Sequence, residues 1–304
     1  MLSPPSAVSE AETAVALGIF DGVHRGHREV IGRAAAIARE KGLSPAVCTF
    51  NTGTICTKGE CYRPIYSDDT KRMLLENEGI ECMYSPDFSE IRNMSPEEFV
   101  KSILRGVLNA REVICGADFR FGRNASCSAE GLMRICSHMD MGLTVVDDVT
   151  ENGIRICSAD IRRFISEGDV HSAGLLLGHS YAVSGEVIHG NRIGHKMNFP
   201  TANQKMNSAF VMPKFGVYMS YADIDGRLYR GITNIGVKPT VVSDGEPLAE
   251  THFPDFSGDL YGRELTVRLE GFIRPERRFE STDELIAQIK KDLQTAMAMP
   301  LPIK

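Results

Sequence analysis

The 304-residue sequence predicts an α/β plus all-β fold: an N-terminal doubly wound, Rossmann-like domain and a C-terminal antiparallel β-barrel with a terminal helix. Three observations predict it. Strand and helix patterns alternate as far as residue 178, short alternating runs divided by turns take over at Tyr181, and one amphipathic pattern returns after Ser281. A chain of this length exceeds what one hydrophobic core organises, so domains over 1–178 and 179–304 are expected.

The apolar run Ala14–Ile19 reads as the first strand. Val30, Ile31, Ala34, Ile37 and Ala38 then recur at helical spacing between Gly26 and Lys41, with Gly42 as the stop. A second strand is expected over Ser44–Phe50. Asp68 and Asp69 are read as the cap of a helix ending at Gly79. Ser95, Pro96 and Glu98 supply a cap, a first-turn proline and a capping-box acid for a helix through Leu108. Strands at Ile80–Tyr84, Glu112–Gly116 and Leu143–Asp147 follow helices, and helices are expected over Ser158–Glu167 and Val170–Leu177. Such alternation calls for parallel strands with crossover helices. Beyond Tyr181, Asp225-Gly226 marks a hairpin, and the alternating runs fit an antiparallel barrel or sandwich. Ser281 and Glu284 open the last helix, which carries Leu285, Ile286, Ile289 and Leu293 on one face.

Composition narrows the partners. A net charge of −6 with no block of Lys and Arg argues against nucleic acid, because a phosphate backbone is held by clustered cations. No apolar run approaches the roughly 20 residues of a membrane span, and MLSPPSAVSEAE lacks the n- and h-regions of a secretory leader. A cytoplasmic protein with small-molecule substrates and no membrane partner is the reading, and an oligomer is compatible with it. The eight cysteines lie between positions 48 and 157 and are read as reduced thiols, with no zinc site proposed for Cys56, Cys61 and His138.

GIFDGVHRGH, Gly18–His27, runs from the first strand into the first helix. Ligands of open α/β sheets bind beyond the carboxyl ends of the strands. Gly22 and Gly26 let backbone amides approach a phosphate, and the helix N-terminus adds partial positive charge. His24 and His27, three apart across the helix start, can donate to phosphate oxygens whose charge grows during substitution at phosphorus. An ATP-phosphate loop of Gly18, Phe20, Asp21, Gly22 and Gly26, with His24 and His27 catalytic, is the expectation.

This stretch resembles the nucleotidyltransferase motif of the bifunctional riboflavin kinase/FAD synthetase family, and the likeness extends over nearly the whole chain. Gly116–Gly122, GADFRFG, is similar to the family's flavin-side motif, which implies flavin contacts at Asp118 and Phe119. The resemblance implies transfer of AMP from ATP to FMN, with Ser158 and Arg162 among the phosphate contacts. Two segments depart from the family. Thr49-Phe50-Asn51-Thr52-Gly53-Thr54 lacks the usual acid, histidine and prolines, and Cys157-Ser158-Ala159-Asp160-Ile161-Arg162 carries alanine for threonine and an added aspartate. Each lost phosphate donor costs on the order of 1 to 3 kcal/mol.

GEVIHGNRIGHKMNFPTANQ, Gly185–Gln204, resembles the family's kinase loop. Gly185, Gly190 and Gly194 permit a flap over phosphates, with Arg192, His195 and Lys196 as polar or cationic contacts. Thr201 and Asn203 offer hard oxygens suited to Mg2+ carried with ATP. Riboflavin would attack through a neutral hydroxyl, so a base is needed, and the resemblance gives that role to Glu250 in Ala249-Glu250-Thr251-His252. The implied sequence is riboflavin to FMN, then FMN to FAD. Two alternatives stay open: a riboflavin kinase whose N-terminal domain is catalytically weakened, and a flavin-binding sensor without turnover.

Overall fold

The computed structural model describes residues 9–51, 56–57, 60–61, 63–151, 153–190, 199–237 and 247–300. The chain divides into two compact units, Met1–Ser158 and Ala159–Lys304.

In the first unit, β1 (Thr13–Leu17), β2 (Ser44–Cys48), β3 (Cys82–Tyr84), β4 (Ala110–Gly116) and β5 (Gly142–Val146) form a five-stranded sheet in the order β3-β2-β1-β4-β5. Every neighbouring pair is parallel. The order reverses between β1 and β4, which makes their carboxyl ends the switch point where such sheets open a crevice. All five residues of β1 are buried. Ala14 and Ala16 face one core with Val30, Ile31 and Ala34 of α1 (Arg25–Lys41), while Val15 and Leu17 face another with Phe99, Leu104 and Leu132. Both faces of the sheet are therefore covered, as a parallel sheet requires.

Helix ends follow local chemistry. Gly42 closes α1 in the left-handed conformation, donating its N–H to Ala38. The cap of α2 (Asp68–Asn77) is Ser67, whose hydroxyl accepts from the Thr70 N–H at 3.2 Å. Asp68 and Asp69, expected to cap, occupy the first turn instead, where carboxylates still oppose the helix dipole. Ser95 and Glu98 form the expected capping box for α3 (Pro96–Phe99). The chain then widens into a π-helical stretch over Val100–Val107 rather than continuing as α-helix. The remaining crossover helix, α4, spans Ala129–His138.

The second unit opens with most of α5 (Ser158–Glu167) and with α6 (Val170–Leu177), which packs on barrel strands; compactness thus groups α6 with the barrel, whereas the sequence texture changes only after it. The strands β6 (Tyr181–Ile188), β7 (Ala202–Lys205), β8 (Gly216–Ile224), β9 (Arg227–Val237), β10 (Pro247–His252) and β11 (Glu264–Arg274) close a barrel in the order β6-β7-β10-β9-β8-β11. All its pairings are antiparallel. Asp225 (φ 56°) and Gly226 (φ 79°) make the expected two-residue hairpin between β8 and β9.

Inside the barrel, fully buried hydroxyls of Ser220, Thr233 and Thr251 form a hydrogen-bonded ladder, at 2.8 Å between Thr233 and Ser220 and 2.9 Å between Thr233 and Thr251. Helix α7 (Thr282–Ala298), capped by Ser281 as expected, lays Ile289, Leu293 and Ala296 over Val217, Met219 and Ile232 on the barrel exterior. Arg274 binds the buried Asp292 carboxylate through Nε and Nη2 at 2.8 to 3.1 Å, and Arg230 donates to the carbonyls of Met297 and Met299 at the helix end.

Candidate active site

The loop after β1 adopts a backbone that few side chains choose. Phe20 (φ 53°), Gly22 (φ 79°) and Val23 (φ 44°) are all left-handed. Phe20 is held there because its ring is buried and lies against Gly18, where a Cβ would stand 2.8 Å from the ring. Three loop carbonyls are tied down from outside: Thr49 donates to Ile19 at 2.8 Å, Ser158 to Asp21 at 3.0 Å, and Arg28 Nε to Val23 at 3.2 Å. The buried Asp21 carboxylate accepts the Ile65 N–H at 2.8 Å. Carbonyls fixed in this way hold the loop at the head of α1, where a helix N-terminus favours an anion.

His24 caps α1, its Nδ1 accepting the His27 N–H at 3.2 Å. An accepting Nδ1 places the imidazole proton on Nε2. The two rings stack at 3.5 Å with 15° between their planes, and a Cβ at Gly26 would stand 3.2 Å from the His24 ring. Burial, then the neighbouring His24, then Lys71 hold His27 well below the usual histidine range. His27 Nδ1 is buried with no hydrogen-bond partner among the described residues. A neutral, oriented imidazole pair is suited to donating toward phosphate oxygen, not to relaying a proton.

Sequence reading did not single out Lys71. It is 2% exposed, donates to the Phe50 carbonyl at 2.7 Å and pairs with Asp68 at 3.0 Å, and burial lowers its pKa against the raising influence of Asp68 and Asp21. The signal was available: Lys71 precedes the buried Leu75 by one helical turn, a lysine on an apolar stripe.

Across the switch point, Asp118 follows β4 and forms an ion pair with Arg155, which also binds Asp148 at 3.1 Å. Phe119 stacks on Phe121 at 5.7 Å beside the core. The ladder of Thr150–Glu151 with Ile154–Arg155 thus meets Asp118 through Arg155 and reaches Arg25, at the start of α1, through Glu151 at 2.5 Å. At the two departures from the family pattern, Asn51 donates to Asp87 at 3.3 Å and Asp160 pairs with Arg163 at 3.2 Å, while 52–54 lie outside the described residues. Arg162 lies on α5 in the second unit.

In the barrel, strand register does the assembling. Asn203 of β7 lies directly opposite Glu250 of β10, which lies opposite Asn234 of β9. Residues opposite one another in an antiparallel ladder share a face, here the exterior, one step out of phase with Thr251 and Thr233. Asn203 is 3% exposed, and its Nδ2 donates to the carbonyl and hydroxyl oxygens of Thr201 at 3.1 and 3.3 Å. Its Oδ1 is buried with no hydrogen-bond partner among the described residues. Gly190 backs the carboxamide so closely that a Cβ there would lie 2.7 Å from Nδ2. Gly185 gives its carbonyl to Gln204 Nε2 at 2.9 Å and serves the barrel wall. Arg192, Gly194, His195 and Lys196 lie outside the described residues.

Beside Thr201 opens a cavity of about 260 Å³ lined by Pro200, Ala202, Phe253, Phe256, Leu260 and Tyr261 among others. The His189 ring lies against the Tyr261 ring at 3.9 Å, tilted by 35°. Aromatic walls next to hard oxygen donors suit a planar ring joined to a phosphorylated group.

Comparison with known proteins covers both units. The FAD synthetase family matches residues 6–160 and the riboflavin kinase family residues 177–299. A bifunctional riboflavin kinase/FMN adenylyltransferase of Bacillus subtilis (strain 168) is 37% identical over 297 residues, covering 95% of this chain and 92% of that protein. The chain belongs to the bifunctional riboflavin kinase/FMN adenylyltransferase family. The family member of Listeria monocytogenes is 34% identical over 95% of this chain, and that of Escherichia coli (strain K12) 33% identical over 92%, each covering at least 90% of the relative. A crystal structure described as a macrolide-efflux protein from Streptococcus pneumoniae superposes with a TM-score of 0.86 at 30% identity over 97% of both chains. No described helix of the present chain is long and apolar enough to cross a membrane.

Proposed function

We propose that this protein is an ATP-dependent transferase that phosphorylates riboflavin to FMN in the barrel and then adenylylates FMN to FAD at the loop after β1. The observation that carries the reading is the match of both halves to the family's two domains, with Glu250 and Asn203 paired across one ladder.

In the kinase step, the ribityl hydroxyl of riboflavin attacks the γ-phosphorus of ATP, and Glu250 receives the hydroxyl proton as the bond to ADP breaks. Mg2+ fits here: Asn203 Oδ1 is a buried, unsatisfied oxygen among the described residues, and Thr201 supplies the neighbouring hard oxygens. Bound with ATP, it would neutralise phosphate charge. Gly190 keeps space against the carboxamide, and the aromatic cavity receives a planar ring.

In the adenylyl step, an FMN phosphate oxygen attacks the α-phosphorus of ATP and pyrophosphate leaves. The attacking group is already an anion, so no base is required. Gly18, Phe20, Asp21, Gly22 and Gly26 shape the phosphate loop, with His24 and His27 donating to oxygens of the transferring group. Ser158 acts through the Asp21 carbonyl it holds, Arg162 offers a phosphate contact, and Asp118 and Phe119 flank the flavin side.

A second reading, riboflavin kinase with a weakened adenylyl site, is favoured by the altered 51–54 and 157–162 segments. One assay separates the readings. Purified protein given riboflavin, ATP and Mg2+ should yield FMN and then FAD by chromatography. FMN alone selects the kinase-only reading, and flavin binding without product selects the sensor. A cytoplasmic location, no nucleic-acid partner, functional domains meeting at 178/179 and compatibility with an oligomer complete the proposal.

A further inference from the structure

His252 ends β10, two residues beyond Glu250, and is 7% exposed. Its Nδ1 lies 2.8 Å from the Pro200 carbonyl. A carbonyl only accepts, so Nδ1 carries the proton and the imidazole donates. The Phe199 ring meets the His252 ring edge-on at 5.3 Å. The histidine backbone is itself fixed: Gly231 of β9 approaches so closely that a Cβ there would stand 2.2 Å from the His252 carbonyl oxygen. Ile232 and His252 are register partners in the same ladder.

Pro200 immediately precedes Thr201, and the Asn203 carboxamide donates to both Thr201 oxygens. Proline has no N–H, so the entry of this segment into β7 gains no ladder bond from Pro200. Beyond the ladder, which begins with Ala202 opposite Thr251, this one side-chain donor ties the end of β10 to the residue next to Thr201. We propose that His252 is a positioning residue of the kinase site: by donating to Pro200 it holds Thr201, which lies just outside the β7–β10 ladder, and through Thr201 it orients the Asn203 carboxamide. The inference rests on the kinase reading above and adds a residue to it. His252 acts through Pro200 and exchanges no proton in the reaction.

The test compares wild type with H252F, which keeps a ring but no donor, and H252N, whose Nδ2 stands near the position of Nδ1. Two quantities are read: ADP affinity with and without Mg2+ by calorimetry, and the KM for Mg-ATP and kcat of riboflavin phosphorylation. H252F should lose the Mg2+-dependent gain in ADP affinity and raise KM roughly tenfold, the weight of one neutral hydrogen bond, with kcat changed less. H252N should restore most of both, and thermal melting should show all three proteins folded. Wild-type behaviour of H252F overturns the proposal, as does equal damage in H252F and H252N. If wild type neither turns over riboflavin nor binds Mg-ADP, the kinase reading fails first and takes this inference with it.

Discussion

The ammonium of Lys71 donates to the Phe50 carbonyl across 2.7 Å at 2% exposure, so a buried cation fixes the chain just beyond β2, close enough to depress His27. Replacing it by methionine removes the charge and strips the carbonyl of that donor. K71M should destabilise the first unit by about 1 to 3 kcal/mol in urea titrations and slow FAD formation. FMN formation should be unchanged, because the barrel is a separate compact unit. Equal loss of both activities would exclude this local role.

The depressed pKa of His27 gives stability a pH dependence. The unfolded histidine binds a proton near pH 6.5, whereas the buried one resists it. The contribution is complete above 6.5 and falls as pH drops from there toward the folded value, at most about 1.4 kcal/mol per pH unit for one proton. Denaturant midpoints between pH 7.5 and 5.5 should fall more steeply for wild type than for H27N.

E250Q keeps the size of the side chain and removes its basicity. FMN formation should drop by about 100- to 10,000-fold, the usual share of a general base, with the melting temperature nearly unchanged. Retained turnover would take Glu250 out of the mechanism.

G190A places a Cβ 2.7 Å from Asn203 Nδ2 and 2.9 Å from Cγ. The carboxamide must move, so the Mg-ATP KM should rise while the barrel stays folded by circular dichroism. An unchanged KM would separate Gly190 from the metal-holding role proposed for Asn203.

Arg274 and Asp292 join the barrel to α7 with Asp292 2% exposed. D292A leaves a largely buried guanidinium unpaired and should cost about 3 kcal/mol in a chemical denaturation curve. A loss below about 1 kcal/mol would mean that the apolar face of α7 holds the helix by itself.

Much of this was legible in the chain. Alternating periods mark the strands and helices and their parallel or antiparallel texture, Ser95-Pro96-Glu98 marks a helix start, and Asp225-Gly226 a hairpin, because each of these signals is written within a few residues. The Lys71–Phe50 bond, the Ser158–Asp21 bond and the His252–Pro200 bond join positions 21, 137 and 52 residues apart, and no local pattern encodes them. Ser67, the cap, is masked in the sequence by the two aspartates that follow it, because acids suit both the cap and the first turn. The π-helical widening after Phe99 has no sequence marker that we can name.

The hydroxyl ladder inside the barrel has a bearing on how the chain finds its pairing. Were β10 to slip by one residue against β7 and β9, Thr251 would turn outward and Glu250 would enter the interior, where an unpaired carboxylate is costly. Thr233 would lose its bond to Thr251 at the same moment. Misaligned barrels are thereby penalised twice, and Glu250, proposed as the kinase base, would also act as a proofreader of folding.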